Sequence, residues 1–225
     1  MPAGVYSPAT VYSIEDFQAR ARARLPAEPH ATTDGIADHP GPSDFELNPG
    51  HDRYEWLKPG IRPIPAAVLV PVCEVGGVAS VILTRRAISM RAHAGQIAFP
   101  GGRADDVDDG PAATALREAR EEIGLESEQV DIVGFLDRYL TGTGYMVSPV
   151  VGMVSSDFVA SIDPCEVADV FDVPLEFLMN PANHQIHRRN ISGKNRAFVA
   201  MSFGEHYIWG ATAGMLKNLF ERVYG

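Results

Sequence analysis

Cysteine is nearly absent from this sequence. Cys73 and Cys165 are its only two in 225 residues, too few for a disulfide framework and not spaced as metal ligands. No apolar run approaches the length needed to cross a bilayer, and the N-terminus has no signal-type apolar core. A cytoplasmic chain without a membrane partner is therefore expected. Cations are scarce too: 19 Lys and Arg against 29 Asp and Glu leave a formal net charge of −10. A duplex-binding protein needs a basic footprint, so this balance argues against nucleic acid as a partner. The same charge repels polyanions, and a phosphate substrate would need a metal and local arginines to offset it. Internal repeats and low-complexity tracts are lacking as well. What remains is an ordinary globular composition, 45% hydrophobic and 21% charged. It is long enough for one domain with a sizeable core and short for two.

Residues 1–60 are the least regular part. Ser13 can cap a helix running to about Leu25, with Phe17, Ala21 and Leu25 on one side and Arg20, Arg22 and Arg24 on a solvated face. Residues 26–60, rich in Pro, Gly, Asp and His, form an irregular connection longer than compact domains usually hold. Residues 1–60 thus read as an N-terminal extension, a short helix plus an irregular wrap, ahead of a domain over 61–225. That domain opens with a buried strand at 65–72, turns through Gly76-Gly77 and continues in a strand at 78–83. Further strands are expected at 130–136, 147–154 and 166–173, the last stopped by Pro174 ahead of a short helical piece at 175–179. A hairpin over 198–203 and 206–209 precedes a final helix at 212–223 that buries Leu216, Leu219, Phe220 and Val223. Such a mixture allows α/β or α+β architecture.

The chemistry gathers in residues 101–125. Gly101-Gly102 and an acidic loop (Asp105, Asp106, Asp108, Asp109) lead to Pro111, a favoured first helical residue. Ala112, Ala115, Leu116, Ala119 and Ile123 then draw an apolar stripe at helical spacing, and Gly124 ends the helix. Glu118 and Glu122 stand four residues apart with Glu121 beside them, on the side expected to face away from the stripe. Like charges at that spacing destabilise a bare helix by a few tenths of a kcal/mol. A solvated acidic face blunted by Arg117 and Arg120 is the plain alternative. Oxygen ligands at close quarters suit a hard divalent cation, Mg²⁺ or Mn²⁺, held by Glu118, Glu122 and Glu121. Arg117 is expected to pair with one of these carboxylates. Upstream, residues 84–98 read as a loop carrying Arg85, Arg86, Arg91, His93 and Gly95, basic groups suited to phosphate oxygens. The glycines of residues 140–145 make a flexible loop, too weak a signal for a nucleotide site. A second basic segment (His184, His187, Arg188, Arg189, Lys194, Arg196) surrounds a turn at Ser192-Gly193 and lacks the partners of a metal site.

The stretch from Gly102 to Leu125 resembles the Nudix box, G-x5-E-x7-R-E-U-x-E-E-x-G-U, where U is a bulky aliphatic residue. Its second half matches from Arg117 to Leu125, apart from the small Ala119. Its first half is one residue longer, with Asp108 or Asp109 where Glu is expected. Residues 82–102, with Ile82-Leu83-Thr84-Arg85-Arg86-Ala87, Arg91, Gly95 and Phe99-Pro100-Gly101-Gly102, resemble L-L-T-x-R-[SA]-x3-R-x3-G-x3-F-P-G-G. That motif precedes the box in coenzyme A diphosphatases of the Nudix superfamily. The resemblance implies an α/β/α sandwich with a mixed β-sheet and a catalytic loop-helix-loop. It implies metal-dependent cleavage of coenzyme A or acyl-CoA to 3′-phosphoadenosine 5′-phosphate and (acyl-)4′-phosphopantetheine. Glu118, Glu121 and Glu122 would then be catalytic and metal-binding, and Arg85, Arg86, Arg91, Gly95, Gly101 and Gly102 would contact substrate. Glu121 and Glu166 are the candidates to take a proton from water, although Glu166 also suits a bracing role. A small-molecule partner is implied, and a homodimer is compatible with it. Rival readings are hydrolysis of ADP-ribose, a dinucleotide or a nucleoside triphosphate, a non-enzymatic nucleotide-binding Nudix domain, and a partner-binding protein with a merely solvated acidic helix.

Overall fold

The computed structural model describes residues 12–29, 41–48, 62–89, 93–191 and 193–225. Arg91, Ser192 and most of the irregular stretch expected over 26–60 lie outside them. Eight strands form one mixed sheet: β1 (Ile64–Val75), β2 (Val78–Arg86), β3 (Ile97–Ala98), β4 (Gly101–Arg103), β5 (Val130–Phe135), β6 (Tyr139–Leu140), β7 (Tyr145–Val154) and β8 (Val167–Pro174). The main path runs β3-β2-β1-β7-β5, with β4 on β1, β6 on β7 and β8 on β2. Among the described strands β1 and β7 pair in parallel, from Ile64 opposite Tyr145 to Val72 opposite Met153, and the others pair antiparallel. Gly76 and Gly77 turn β1 into β2 with φ of 59° and 82°, a backbone that favours glycine. Strands β9 (Gln185–Ile191), β10 (Lys194–Phe203) and β11 (His206–Trp209) make a separate antiparallel sheet.

Alternation along the central strand sorts the core into two layers. Ala67, Leu69 and Cys73 of β1 face α2 (Gly110–Ile123), which buries Ala115, Ala119 and Ile123 against them. Ala66, Val70 and Val72 face the other way. There they meet Phe17 and Ala21 of α1 (Ile14–Arg24) and Leu216, Leu219 and Val223 of α4 (Ala211–Val223). Ser13 caps α1 as expected, accepting from Asp16 N–H at 3.1 Å. A four-residue α3 (Leu175–Leu178) follows β8. Helices on both faces of a mixed sheet are the expected α/β/α sandwich. Among the described residues no helix is long and apolar enough to cross a membrane.

One local expectation needs correction. Residues 84–98 are not one loop: β2 runs on to Arg86, and β3 pairs with it at Thr84–Ala98 and Arg85–Ile97. The apolar run ends before the strand does, because sheet hydrogen bonds continue beyond the buried side chains. The glycine loop expected ahead of the next strand is a turn over 141–144 between β6 and β7, closed by Thr141 N–H to Tyr145 O at 2.9 Å and Gly144 N–H to Thr141 O at 3.1 Å.

Candidate metal and diphosphate site

Helix α2 is set at both ends by the residues that mark it in the sequence. Gly110 enters with φ of 82°, Pro111 follows, and Gly124 closes the helix with φ of 70°. Gly124 N–H reaches Arg120 O at 3.0 Å, and Leu125 N–H reaches Ala119 O at 3.3 Å. Between these ends the short side chains of Ala115 and Ala119 let the helix lie close on the sheet. Glu122 is drawn in with them and is only 2% exposed, so it does not face away from the apolar stripe as expected. It follows Ala115 by seven residues and adjoins Ile123, which places it on the flank of the buried face.

Burial governs the charge state of both helix carboxylates. Glu122 accepts from Gly101 N–H at 3.3 Å and faces Arg86 Nη1 at 3.4 Å. Its pKa is nevertheless raised to about 7, chiefly by burial, with the charges of Glu118 and Glu166 adding to the push. Glu118 keeps 15% of its side chain exposed. Its pKa is also raised by burial, against the pull of Arg117. Its carboxylate lies over Gly102, where a Cβ would stand 2.5 Å from an oxygen. The glycine pair in β4 is thus the floor on which both carboxylates rest.

Arg117 organises the acidic side of this cluster. It clasps Asp108 with both branches of its fork, Nε to Oδ1 at 2.9 Å and Nη2 to Oδ2 at 3.0 Å. Nη1 reaches Glu118 at 2.8 Å and Glu121 at 3.1 Å, and Nη2 also donates to Arg103 O. The Asp108 carboxyl, further held by Thr114 Oγ1 and Asp105 N–H, is kept far below the usual carboxylate range, first of all by the Arg117 hydrogen bonds. Asp108, not Asp109, therefore answers Arg117. The sequence left the two open because they are adjacent in one acidic loop.

The remaining candidates divide. Arg86 reaches Glu122 on the α2 face of β2. Arg85, its neighbour in the strand, turns to the opposite face, where Nη2 lies 3.1 Å from His206 Nδ1 and the His206 ring stacks on Phe171. Gly95, with φ of 69°, donates its N–H to Arg86 O at 3.1 Å and so shapes the turn after β2. Glu166 precedes β8, its carbonyl accepting from Ala87 N–H at 2.8 Å, and its charge acts on both Glu118 and Glu122. Glu121 sits at the rim, 58% of its side chain exposed. The structure thus gathers Glu118, Glu122, Glu166, Arg86, Gly101 and Gly102, leaves Glu121 at the edge and turns Arg85 away.

The charges of Glu118, Glu122 and Glu166 act on one another here, and Arg86 is the cation beside them that is not already committed to Asp108. Partly buried negative charge in excess, made only of hard oxygen donors, fits a divalent cation. Among the described residues no three acidic, His or Cys side chains converge as a ready-made cage. The glutamates are instead drawn apart toward Arg117 and Arg86, which relieves their repulsion.

The two glycines make separable predictions. A Cβ on Gly101 would meet backbone, 2.5 Å from Ala67 O and 2.6 Å from Val68 Cα. Gly101→Ala is expected to destabilise the fold by about 1–3 kcal/mol. The nearest atoms to a Cβ on Gly102 are those of the Glu118 carboxylate, the end of a side chain that can swing away. Gly102→Ala should keep its melting temperature and lose about 10²-fold in rate, the scale of misplacing one site group by an ångström. Thermal unfolding and steady-state rates of both variants check the contrast.

Comparison with known proteins identifies the family. The model of the NUDIX domain matches residues 63–192. A relative from Cronobacter sakazakii, named "uncharacterized Nudix hydrolase NudL", is 40% identical over 183 residues, covering 76% of this chain and 91% of its own. The protein of the same name from Escherichia fergusonii is 37% identical over 190 residues, 80% and 96% of the two chains. A solved MutT/nudix family protein from Enterococcus faecalis is 16% identical, covers 72% of this chain and 62% of its own, and aligns with a TM-score of 0.48. With a domain match over more than half its length and relatives aligned along nearly the whole of theirs, this chain belongs to the Nudix family.

Proposed function

We propose that this chain is a metal-dependent hydrolase of nucleoside diphosphate derivatives whose substrate is coenzyme A or an acyl-CoA. The diphosphate bond would be cut to give 3′-phosphoadenosine 5′-phosphate and (acyl-)4′-phosphopantetheine. The observation that carries the reading is the motif over 82–102 joined directly to the box: its Arg86, Gly101 and Gly102 meet the box glutamates Glu118 and Glu122. Dependence on a divalent metal is general among Nudix hydrolases. Glu118 and Glu122 would hold Mg²⁺ or Mn²⁺, with Glu121 at the rim. A cation bound there would neutralise the diphosphate and lower the pKa of a water in its shell.

The chain's own groups supply the rest. Glu166 is the better placed to receive the proton of the attacking water, because Glu121 is exposed and tied to Arg117. Arg86 offers donors to a diphosphate oxygen once Glu122 turns to its cation. Gly101 lets β4 lie close on β1, and Gly102 leaves space for the Glu118 carboxylate. Arg117 and Asp108 fix the helix side of the cluster and touch no substrate. The test is incubation with CoA in Mg²⁺ or Mn²⁺ and in chelator, with products identified by mass. Both half-molecules should appear only with metal. An intact CoA pool beside rapid cleavage of ADP-ribose or a dinucleotide would retain the family and overturn the substrate.

A further inference from the structure

On the α4 side of the sheet, a cavity of about 730 Å³ opens between residues 41–48, β6, β10 and α4. None of Glu118, Glu121, Glu122, Glu166 or Arg86 lines it. Its volume falls among those of sites that enclose small ligands. Its walls are fixed by satisfied polar contacts. The buried Tyr139 donates its hydroxyl to Asp44 Oδ1 at 2.8 Å, and Asp44 Oδ2 accepts from Gly142 N–H at 2.7 Å. Asn48 clips residues 41–48 to β10, accepting from Ala197 N–H at 2.8 Å and donating to Ala197 O at 2.9 Å. Gly214 lets α4 rest on the Tyr139 ring, where a Cβ would stand 2.6 Å away. Such a hollow is built in advance of any ligand.

Two features of its lining describe an occupant. Trp209 and Phe198, with ring centroids 5.1 Å apart, give one wall a partly exposed aromatic surface. The second feature is charge. Asp137 clasps Arg222 through both oxygens at 2.7 Å, Glu221 holds Lys217, Arg196 lies near Asp44, and Glu46 is exposed to solvent. Arg138 is the exception. It is half-buried, has no hydrogen-bond or ion-pair partner among the described residues, and burial pushes its pKa down. Its donors are not committed to another side chain among the described residues, and its planar fork matches phosphate oxygens.

We propose that this cavity is a second binding site, for a ligand that joins a flat heteroaromatic ring to a phosphate. The ring lies against Trp209 and Phe198 and the phosphate on Arg138. A nucleotide has this chemistry, whether it is the nucleotide end of the substrate reaching round the sheet or a separate molecule.

Trp209 is one of two tryptophans in the chain, so its fluorescence reports occupancy without turnover. Adenosine 5′-monophosphate titrated into the full chain in metal-free buffer should quench it saturably. Adenosine and ribose 5-phosphate should each bind at least about tenfold more weakly, since each lacks one half of the recognised chemistry. Arg138→Gln, checked for an unchanged melting temperature, should weaken AMP about tenfold or more, and Trp209→Phe should remove most of the signal. The KM for CoA in Arg138→Gln separates the two sources: a parallel rise means the substrate's own nucleotide end, and an unchanged KM means a separate nucleotide. Absence of saturable quenching, or equal AMP affinity in Arg138→Gln, overturns the proposal and leaves the metal-site reading as it stands.

Discussion

Replacing Glu122 with glutamine is expected to lower the rate of diphosphate cleavage by ~10²-fold or more, the scale of losing one electrostatic stabiliser from a site. The same change should make the metal-free chain more stable at pH 8. Glu122 titrates near pH 7 in the folded metal-free protein, against about 4.3 for an ordinary glutamate. A carboxyl whose pKa is raised by folding contributes stability fully below the unfolded value and loses it as pH rises through the folded one. Between about pH 4 and pH 7 the parent should therefore lose on the order of 3 kcal/mol from this group alone, whereas glutamine loses nothing. Melting temperatures in chelator across that window, beside rates in Mg²⁺, test both halves. Parallel pH curves for parent and variant would remove Glu122 as the titrating group, and a near-native rate would remove it from the cation site.

A divalent cation should reverse the penalty. Binding only to the folded state, it stabilises by about 2.7 kcal/mol at a hundredfold excess over its dissociation constant. At about 2–4 °C per kcal/mol for a chain of this size, that is a rise of roughly 5–10 °C in melting temperature. The rise should shrink in Glu122→Gln and in Glu118→Gln. Simple screening of the acidic helix would give the same rise with NaCl at matched ionic strength. If NaCl does reproduce it and CoA stays intact in either buffer, the glutamates hold no divalent cation.

The features legible in the sequence are those fixed by local chemistry. Pro111 and Gly124 placed α2 within a residue or two, and Phe17 and Ala21 marked the buried side of α1, because caps and helical period depend on near neighbours. The burial of Glu122 was not legible. It depends on how closely α2 approaches β4, which is decided by alanines packing on a sheet the helix does not contain. Arg85 and Arg86 read as one basic pair, and only the continuation of β2 past its apolar residues sends them to opposite faces. The contact of Arg85 with His206, 121 residues away, leaves no local trace. The cavity beside α4 draws its lining from five separate stretches and so has no motif.

The parallel pairing of β1 with β7 bears on how this site comes and goes in time. Ile64 meets Tyr145 across 81 residues, and contacts so distant in sequence close slowly. The β1–β2 hairpin can form from neighbours alone. The bed on which α2 docks includes Val150 of β7, so the glutamates gain their final positions only after that long closure. A cation that recognises the finished cluster then has little to hold at the folding barrier. It acts on the other side of that barrier, lengthening the life of the folded chain while leaving the speed of refolding nearly unchanged.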